Sequence, residues 1–382
     1  MKNYLSKNFI FILLSNALLF MVYNMQIPIL PIYAQSIGMS ASQIGTFVGI
    51  LMFAALATRI FTANLAQQFT IKSLLIVGLA LYFLATVGYT MFSVFGLLIL
   101  LRIVNGIGHG LTTTFFATSA ANELDTSEIG TGMGFFGIGT MVSASLAPLI
   151  AVEVTNHFGF DAFFVACVIS LLLSLGFIAF THSHEQVRTK KTKFELPKFD
   201  RNILPHCILV FILGVIMSGV MAFITIYAKQ NHLTAVSWFF FTAAIAGVVI
   251  RPFVGTYFDQ HGPRAVLIIS TILLAVGIAL LVVATSNWIL ILSGILYGAA
   301  DVAIYPTLQA WLFKIVSSET RASATGTFLN SYNLGVGIGA VILGQLVALT
   351  SYHSMFISLT VISVLYIFLG ILIVNRFNPN NN

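Results

Sequence analysis

The feature that most restricts this chain is a succession of apolar runs, each about 20 residues or longer, separated by short polar connections. The runs fall at 8–33, 42–68, 72–93, 95–121, 130–152 and 162–181, then at 203–228, 236–258, 264–285, 288–315, 322–348 and 353–375. Each is long enough to cross the ~30 Å hydrocarbon core of a bilayer as a helix. A water-soluble fold cannot hide this much apolar surface, because 58% of the residues are hydrophobic, 7% are charged and the mean hydropathy is +1.00. In lipid every backbone N–H and C=O must be satisfied internally, which leaves helices or closed barrels. Barrel strands alternate in character and these runs do not. The expected fold class is therefore all-α, an integral membrane protein of twelve transmembrane helices.

The net charge of +6 would suit a nucleic-acid partner, but the positions of the charges argue against one. Lys2, Lys7, Lys72, Arg188, Lys190, Lys191, Lys193, Lys198 and Arg201 lie between or beyond the runs on one side, joined by Arg264, Lys314, Arg321 and Arg376. Only Lys229 falls on the other. This is the positive-inside pattern, and an even number of spans puts both termini in the cytoplasm of a multi-pass cell-membrane protein. Cys167 and Cys207 both sit inside apolar runs, so neither a disulfide framework nor a metal site is expected. The first run is too long for a cleaved leader and lacks a small-residue cleavage site, so it is read as a span.

An internal repeat organises the chain. The register that lays Arg59 on Arg251 also lays Gly106 on Gly298, His109 on Asp301 and Gly134 on Gly326. A register two residues longer matches Tyr33-Ala34 with Tyr227-Ala228 in the first span of each half. Both halves enter the membrane in the same direction, so the repeat is parallel. The expected domains are an N-terminal six-helix bundle (1–181), a basic cytoplasmic linker (182–202) and a C-terminal six-helix bundle (203–382). Such repeats let two bundles rock about a site near the membrane midplane.

After the eighth run the chain reads RPFVGTYFDQHGPR, from Arg251 to Arg264. This resembles the loop signature of the major facilitator superfamily, G-x-x-x-D-R/K-x-x-G-R/K, at Gly255, Asp259, Gly262 and Arg264. On physical grounds Gly255 permits close helix approach, Gly262 a tight turn, and Asp259 pairing with a basic neighbour. The first-half copy, RIFTANLAQQFTIK, has Ala63, Gln67 and Thr70 where the signature has glycine, aspartate and glycine. LLRIVNGIGHG in the fourth run is similar to the family's R-x-x-x-G-x-G motif at Arg102, Gly106 and Gly108. The fifth run resembles the antiporter motif at Gly134, Ser143, Ala147, Pro148 and Ala151, with small residues replacing most glycines. Pro28 and Pro31 in the first run match many twelve-helix drug/proton antiporters of the superfamily. The resemblance implies the major facilitator fold and secondary transport rather than enzymatic activity.

Asp301 is the principal candidate for chemistry. It is equidistant from Trp288 and Lys314, about 20 Å from each along a helix, which is the midplane. An ionisable group at that depth is costly and marks a functional site by default. Tyr297 and Tyr305 lie one turn to either side on the same face. Such a carboxyl suits exchange of a proton for substrate; the alternative is a structural aspartate capped by neighbouring hydroxyls. His109 occupies the repeat-equivalent position, as a proton relay or a packed, hydrogen-bonded histidine. Arg102 and Asn105 share its helix face. Arg102 sets the acid's protonation, holds an anionic substrate, or pairs with backbone carbonyls. In the superfamily the first, fourth, seventh and tenth helices line a central cavity, which implies that His109 and Asp301 face one another. Asn24 and Gln26 are then either cavity groups or bonds between helices. Arg59 and Arg251, near helix ends, are expected to be structural.

The expected function is proton-coupled efflux of a small organic or drug-like compound by alternating access. Export or symport of an anionic metabolite or metal chelator through Arg102 and His109 is the alternative, and a non-transporting receptor the alternative of another class. The expected partners are a small-molecule substrate, protons and the bilayer, with no nucleic acid. The chain is expected to act as a monomer and to need no cofactor, the proton gradient supplying the energy.

Overall fold

A computed structural model describes residues 6–125, 129–182, 203–316 and 321–377. The linker cations Arg188, Lys190, Lys191, Lys193, Lys198 and Arg201, and also Lys2, lie outside these residues. The described residues form ten α-helices and no strand: α1 (Lys7–Ser36), α2 (Ala41–Gln68), α3 (Ile71–Met91), α4 (Phe95–Asn122), α5 (Ile129–Ala179), α6 (Leu204–Gln230), α7 (Val236–Val282), α8 (Asn287–Ile315), α9 (Arg321–Leu349) and α10 (Tyr352–Phe377). All ten are long and apolar enough to cross a membrane.

Two of them are about twice the length a single crossing requires. α5 has 51 residues and α7 has 47, or about 77 and 70 Å at 1.5 Å per residue, against a core of about 30 Å. Each is broken once, α5 at Gly159 (φ 81, ψ 179) and α7 at Gly262 (φ 73, ψ −178). Those glycines fall in the polar gaps 153–161 and 259–263 between expected spans. A positive φ costs glycine nothing sterically, so the helix can turn there.

Helix starts follow local chemistry. Ser6 accepts from the Phe9 N–H at 3.1 Å, and Ser40 and Gln43 exchange reciprocal bonds of 3.3 and 2.9 Å, a capping box. Thr70, which replaces the second signature glycine in the first half, caps α3 by accepting from the Ser73 N–H at 3.2 Å. In the first half a capping hydroxyl thus begins the third helix, whereas its counterpart follows a positive-φ glycine.

The chain divides into two compact units, Met1–Met39 with Ile50–Leu196, and Ser40–Gly49 with Pro197–Asn382. The beginning of α2 groups with the second unit because Gly45 lies against the backbone of Ala340 and Gly344 in α9. Within the first unit α1 packs on α5 and α3 on α4. The hydroxyls of Ser15 and Ser174 each donate to the other residue's carbonyl, at 2.8 and 2.9 Å, and Ser143 donates to the Ala17 carbonyl at 2.7 Å. Lys72 ties the start of α3 to the carbonyls of Ala179 and Thr181 at 2.8 and 2.6 Å. Within the second unit α7 packs on α8, α6 on α9 and α10 on α7. Gly335 and Gly339 of α9 press on Phe211 and Val215 of α6, so the small-residue run packs helices.

The repeat is visible in side-chain geometry. Tyr33 donates to the Tyr89 carbonyl at 2.6 Å, and Tyr227 donates to the Leu281 carbonyl at 2.8 Å. The matched helix ends close alike, Met39 N–H on the Ala34 carbonyl (3.0 Å) and Leu233 N–H on the Ala228 carbonyl (2.8 Å). The left-handed residue is Gly38 (φ 89) in one and His232 (φ 55) in the other. Gly106 meets Leu51 and Ala54 of α2 closely, and its equivalent, Gly298, meets the Ala243 backbone of α7 in the same way.

Candidate functional site

The second unit holds Asp301 midway along α8. Among the described residues Asp301 makes no hydrogen bond or ion pair, and it is half-buried rather than sealed. Aromatic rings surround its level of the helix. Tyr297, one turn before, is 1% exposed, lies within the field of the Asp301 charge and has a hydroxyl without a partner. Its ring centroid is 5.6 Å from Phe239. Tyr305, one turn after, sits 5.4 Å from Phe328 and 5.3 Å from Tyr332. The alternative of an aspartate capped by Tyr297 and Tyr305 is not what the geometry shows.

The first unit assembles α1, α3 and α4 around Arg102 (5% exposed), Asn105 (0%) and His109 (5%). Arg102 donates to the Asn105 side-chain carbonyl at 3.5 Å, and its charge reaches Tyr23, Tyr82 and Tyr89. The His109 ring stacks on Tyr23, centroids 4.6 Å apart and planes at 22°, with Phe20 and Tyr82 at 6.5 and 6.4 Å. Its Nδ1 and the Asn105 amide nitrogen are buried without a hydrogen-bond partner among the described residues. Arg59 of α2 donates to Thr113 of α4 at 3.2 Å.

The α1 amides Asn24 and Gln26 make local and interhelical bonds, respectively. Gln26 is engaged at both ends, donating to Thr86 and accepting from Tyr82, each at 3.2 Å, so it locks α1 to α3. Asn24 donates to the Phe20 carbonyl of its own helix at 2.8 Å and remains half-buried.

In the loop signature Gly262 makes the break in α7, as its spacing suggested. Arg251, Asp259 and Arg264 are exposed, and among the described residues Asp259 meets no basic group at ion-pair distance. Gly255 has open space around it, so the close approach expected there is absent. The nearby basic contact is instead Lys314 over the Phe258 ring at 4.4 Å.

Sequence reasoning missed His206, Thr307 and Trp311 of the second unit. His206 and Trp311 are each 1% exposed with ring centroids 4.1 Å apart, and among the described residues both imidazole nitrogens, the indole N–H and the Thr307 hydroxyl have no hydrogen-bond partner. Asn16 of α1, likewise, buries both amide atoms without a hydrogen-bond partner among the described residues. The only signal was one polar residue inside an apolar run.

A sequence profile of the Major Facilitator Superfamily matches residues 12–255 and 206–382. The chain is similar to an uncharacterised MFS-type transporter of Methanocaldococcus jannaschii, 27% identical over 86% of this chain and 88% of that one. It is also similar to two Staphylococcus aureus proteins. The staphylopine export protein is 20% identical over 86% of each chain, and the quinolone resistance protein NorA is 23% identical over 88% of this chain and 89% of that one. The fold matches the crystal structure of the nucleoside transporter NupG, TM-score 0.77 at 16% identity, over 96% of this chain and 99% of that one. With a helical membrane architecture and a profile match spanning both halves, the chain belongs to the Major Facilitator Superfamily and is a multi-pass membrane transporter, not an enzyme.

Proposed function

We propose that the protein exports a small organic compound in exchange for protons, and that Asp301 is the carboxyl that carries the proton. The observation behind this reading is a half-buried aspartate at the middle of a membrane helix with no partner among the described residues. Proton and substrate compete for the site, which couples their flows. One charge moved through 100 mV is worth about 2.3 kcal/mol, enough to bias the exchange. The relatives named for staphylopine export and quinolone resistance support outward transport. Counting α5 and α7 twice at their breaks gives twelve crossings, with both termini cytoplasmic in the cell membrane. The proposed unit is the monomer, driven by the proton gradient with no bound cofactor.

The test is purified protein in liposomes with an interior pH dye, challenged with lipophilic cations, zwitterions and anions. Substrate-evoked proton movement present in the parent and absent in Asp301→Asn is the expected result. Uphill transport by Asp301→Asn equal to the parent would refute the mechanism.

A second reading, export of an anionic chelator, is favoured by one observation. No acidic residue precedes Glu123, while Arg59 and Arg102 lie in α2 and α4. Loss of transport in Arg102→Ala with Asp301→Asn unaffected would select it.

A further inference from the structure

The two halves of the repeat differ at one corner, where the Lys72 end of α3 meets α1 and α5 and where the Arg264 end of α7 meets α6 and α10. The register that lays Arg59 on Arg251 also lays Lys72 on Arg264, Ser174 on Tyr366 and Ala179 on Ile371, and the first-span register lays Ser15 on Leu209. Ring contacts hold the same register in the last span, with Phe164 at 5.1 Å from Tyr33 and Phe356 at 4.7 Å from Tyr227. In the first half the corner is closed. Ser15 and Ser174 are fully buried with their hydroxyls 2.7 Å apart, and the Ala179 and Thr181 carbonyls hold the Lys72 ammonium.

In the second half the same corner is open. Leucine and tyrosine replace the two serines, and a slot of about 280 Å³ is lined by Leu209 of α6, Arg264 and Ile268 of α7, and Tyr366, Gly370 and Ile371 of α10. Gly370 is buried, yet a methyl added to it would meet nothing within 4 Å, so it faces the void. Ile268 and Ile371 are only half-buried, so the slot opens sideways, where a membrane helix meets lipid. Tyr366 is 2% exposed, and its hydroxyl has no hydrogen-bond partner among the described residues. Arg264 is exposed and, unlike Lys72, makes no hydrogen bond or ion pair among the described residues.

We propose that this slot binds an anionic phospholipid, with its phosphate on Arg264, one acyl chain between α6, α7 and α10, and an ester carbonyl accepting from the Tyr366 hydroxyl. A basic group beside an apolar gap between membrane helices suits a charged headgroup with its chain below. A guanidinium grips phosphate through two parallel N–H donors, and a buried hydroxyl needs an acceptor that the surrounding side chains do not supply. Ile371, whose counterpart Ala179 offers its carbonyl to Lys72, is about 8 Å of helix rise from Tyr366. The ester groups of a phospholipid lie just below its phosphate, within that interval. The headgroup end is cytoplasmic in the proposed orientation, the side on which anionic lipid attracts basic groups. A lipid seated there joins three helices of the second unit, as the serine pair and Lys72 join three of the first.

The experiment is native mass spectrometry of the full chain in detergent, titrated with phosphatidylglycerol or with phosphatidylcholine of the same acyl chains. The parent is expected to bind its first phosphatidylglycerol about fivefold more tightly than phosphatidylcholine, the scale of one basic residue at an anionic surface. Arg264→Gln should remove that preference, and Lys72→Gln, at the closed corner, should keep it. Gly370→Leu fills the slot and should weaken the first binding of both lipids by about fivefold or more, since the chain is common to both. Tyr366→Phe should weaken both by about threefold, since both carry ester carbonyls. Melting in the same detergent identifies the folded variants, and either Arg264→Gln or Gly370→Leu suffices if the other does not fold. Equal binding of the two lipids by the parent overturns the proposal, as does a preference that survives Arg264→Gln or binding untouched by Gly370→Leu. Inorganic phosphate that abolishes the preference while Gly370→Leu binds like the parent would show a soluble-anion site and overturn the lipid.

Discussion

Gly106 and Gly298 occupy equivalent positions in the two halves, and each is pressed against a neighbouring helix. A methyl added at Gly106 would lie 2.6 Å from both the Leu51 carbonyl oxygen and the Ala54 Cβ. At Gly298 it would meet the Ala243 backbone still more closely. Ordinary carbon contacts need about 3.5 Å, so α4 or α8 must move by roughly 1 Å. Backbone gives way less readily than a side-chain tip, and overpacking of this kind costs about 1–3 kcal/mol. The helix-propensity gain of alanine over glycine, about 1 kcal/mol, offsets part of it. Gly106→Ala is expected to lose about 1 kcal/mol net and Gly298→Ala about 2 kcal/mol or more. Gly134 and Gly326, the other matched pair, have nothing within 4 Å of the added methyl, so alanine there is expected to be neutral or stabilising by up to about 1 kcal/mol. Thermal unfolding in detergent, read by size-exclusion chromatography of heated samples, should order the variants as Gly298→Ala, Gly106→Ala, parent, then Gly134→Ala and Gly326→Ala. Gly298→Ala melting with the parent, or Gly326→Ala falling as far as Gly298→Ala, would refute the packing argument.

The same melting assay checks two other matched features. Tyr33→Phe and Tyr227→Phe each remove one hydroxyl that donates to a carbonyl, and each is expected to cost about 1 kcal/mol; a loss confined to one half would contradict the equivalence. At the matched caps, Gly38→Ala forces a side chain into left-handed backbone and should destabilise by about 1–2 kcal/mol, whereas His232→Gly relieves that cost and should stabilise by up to about 1 kcal/mol. Equal responses at the two sites would show that the caps differ in kind.

Much of the architecture could be read in advance because lipid leaves few choices. Where a run of apolar residues is about 20 long, a helix is the only open-ended answer, and the observed helices overlay the expected spans. The breaks at Gly159 and Gly262 fell in the polar gaps because those residues cannot stay in hydrocarbon. Asp301 was legible for the same reason, as a carboxyl about 20 Å from either end of its apolar run. The roles of Gln26 and Gly255 were not legible. An amide looks the same in sequence whether it lines a cavity or locks α1 to α3, and a glycine whether it touches a neighbour or faces open space.

What the amino-acid order by itself determined was where the helices lie, the repeat and the depth of Asp301 along its helix, since these follow from position along the chain and the thickness of a bilayer. Which polar groups found partners was decided by the tertiary structure. Gln26 is satisfied by Tyr82 and Thr86 of α3, far along the chain, whereas the ring nitrogens of His206 have no hydrogen-bond partner among the described residues. Satisfaction depends on contacts within about 3 Å between helices distant in sequence, and a linear pattern does not encode rotation of one helix against another.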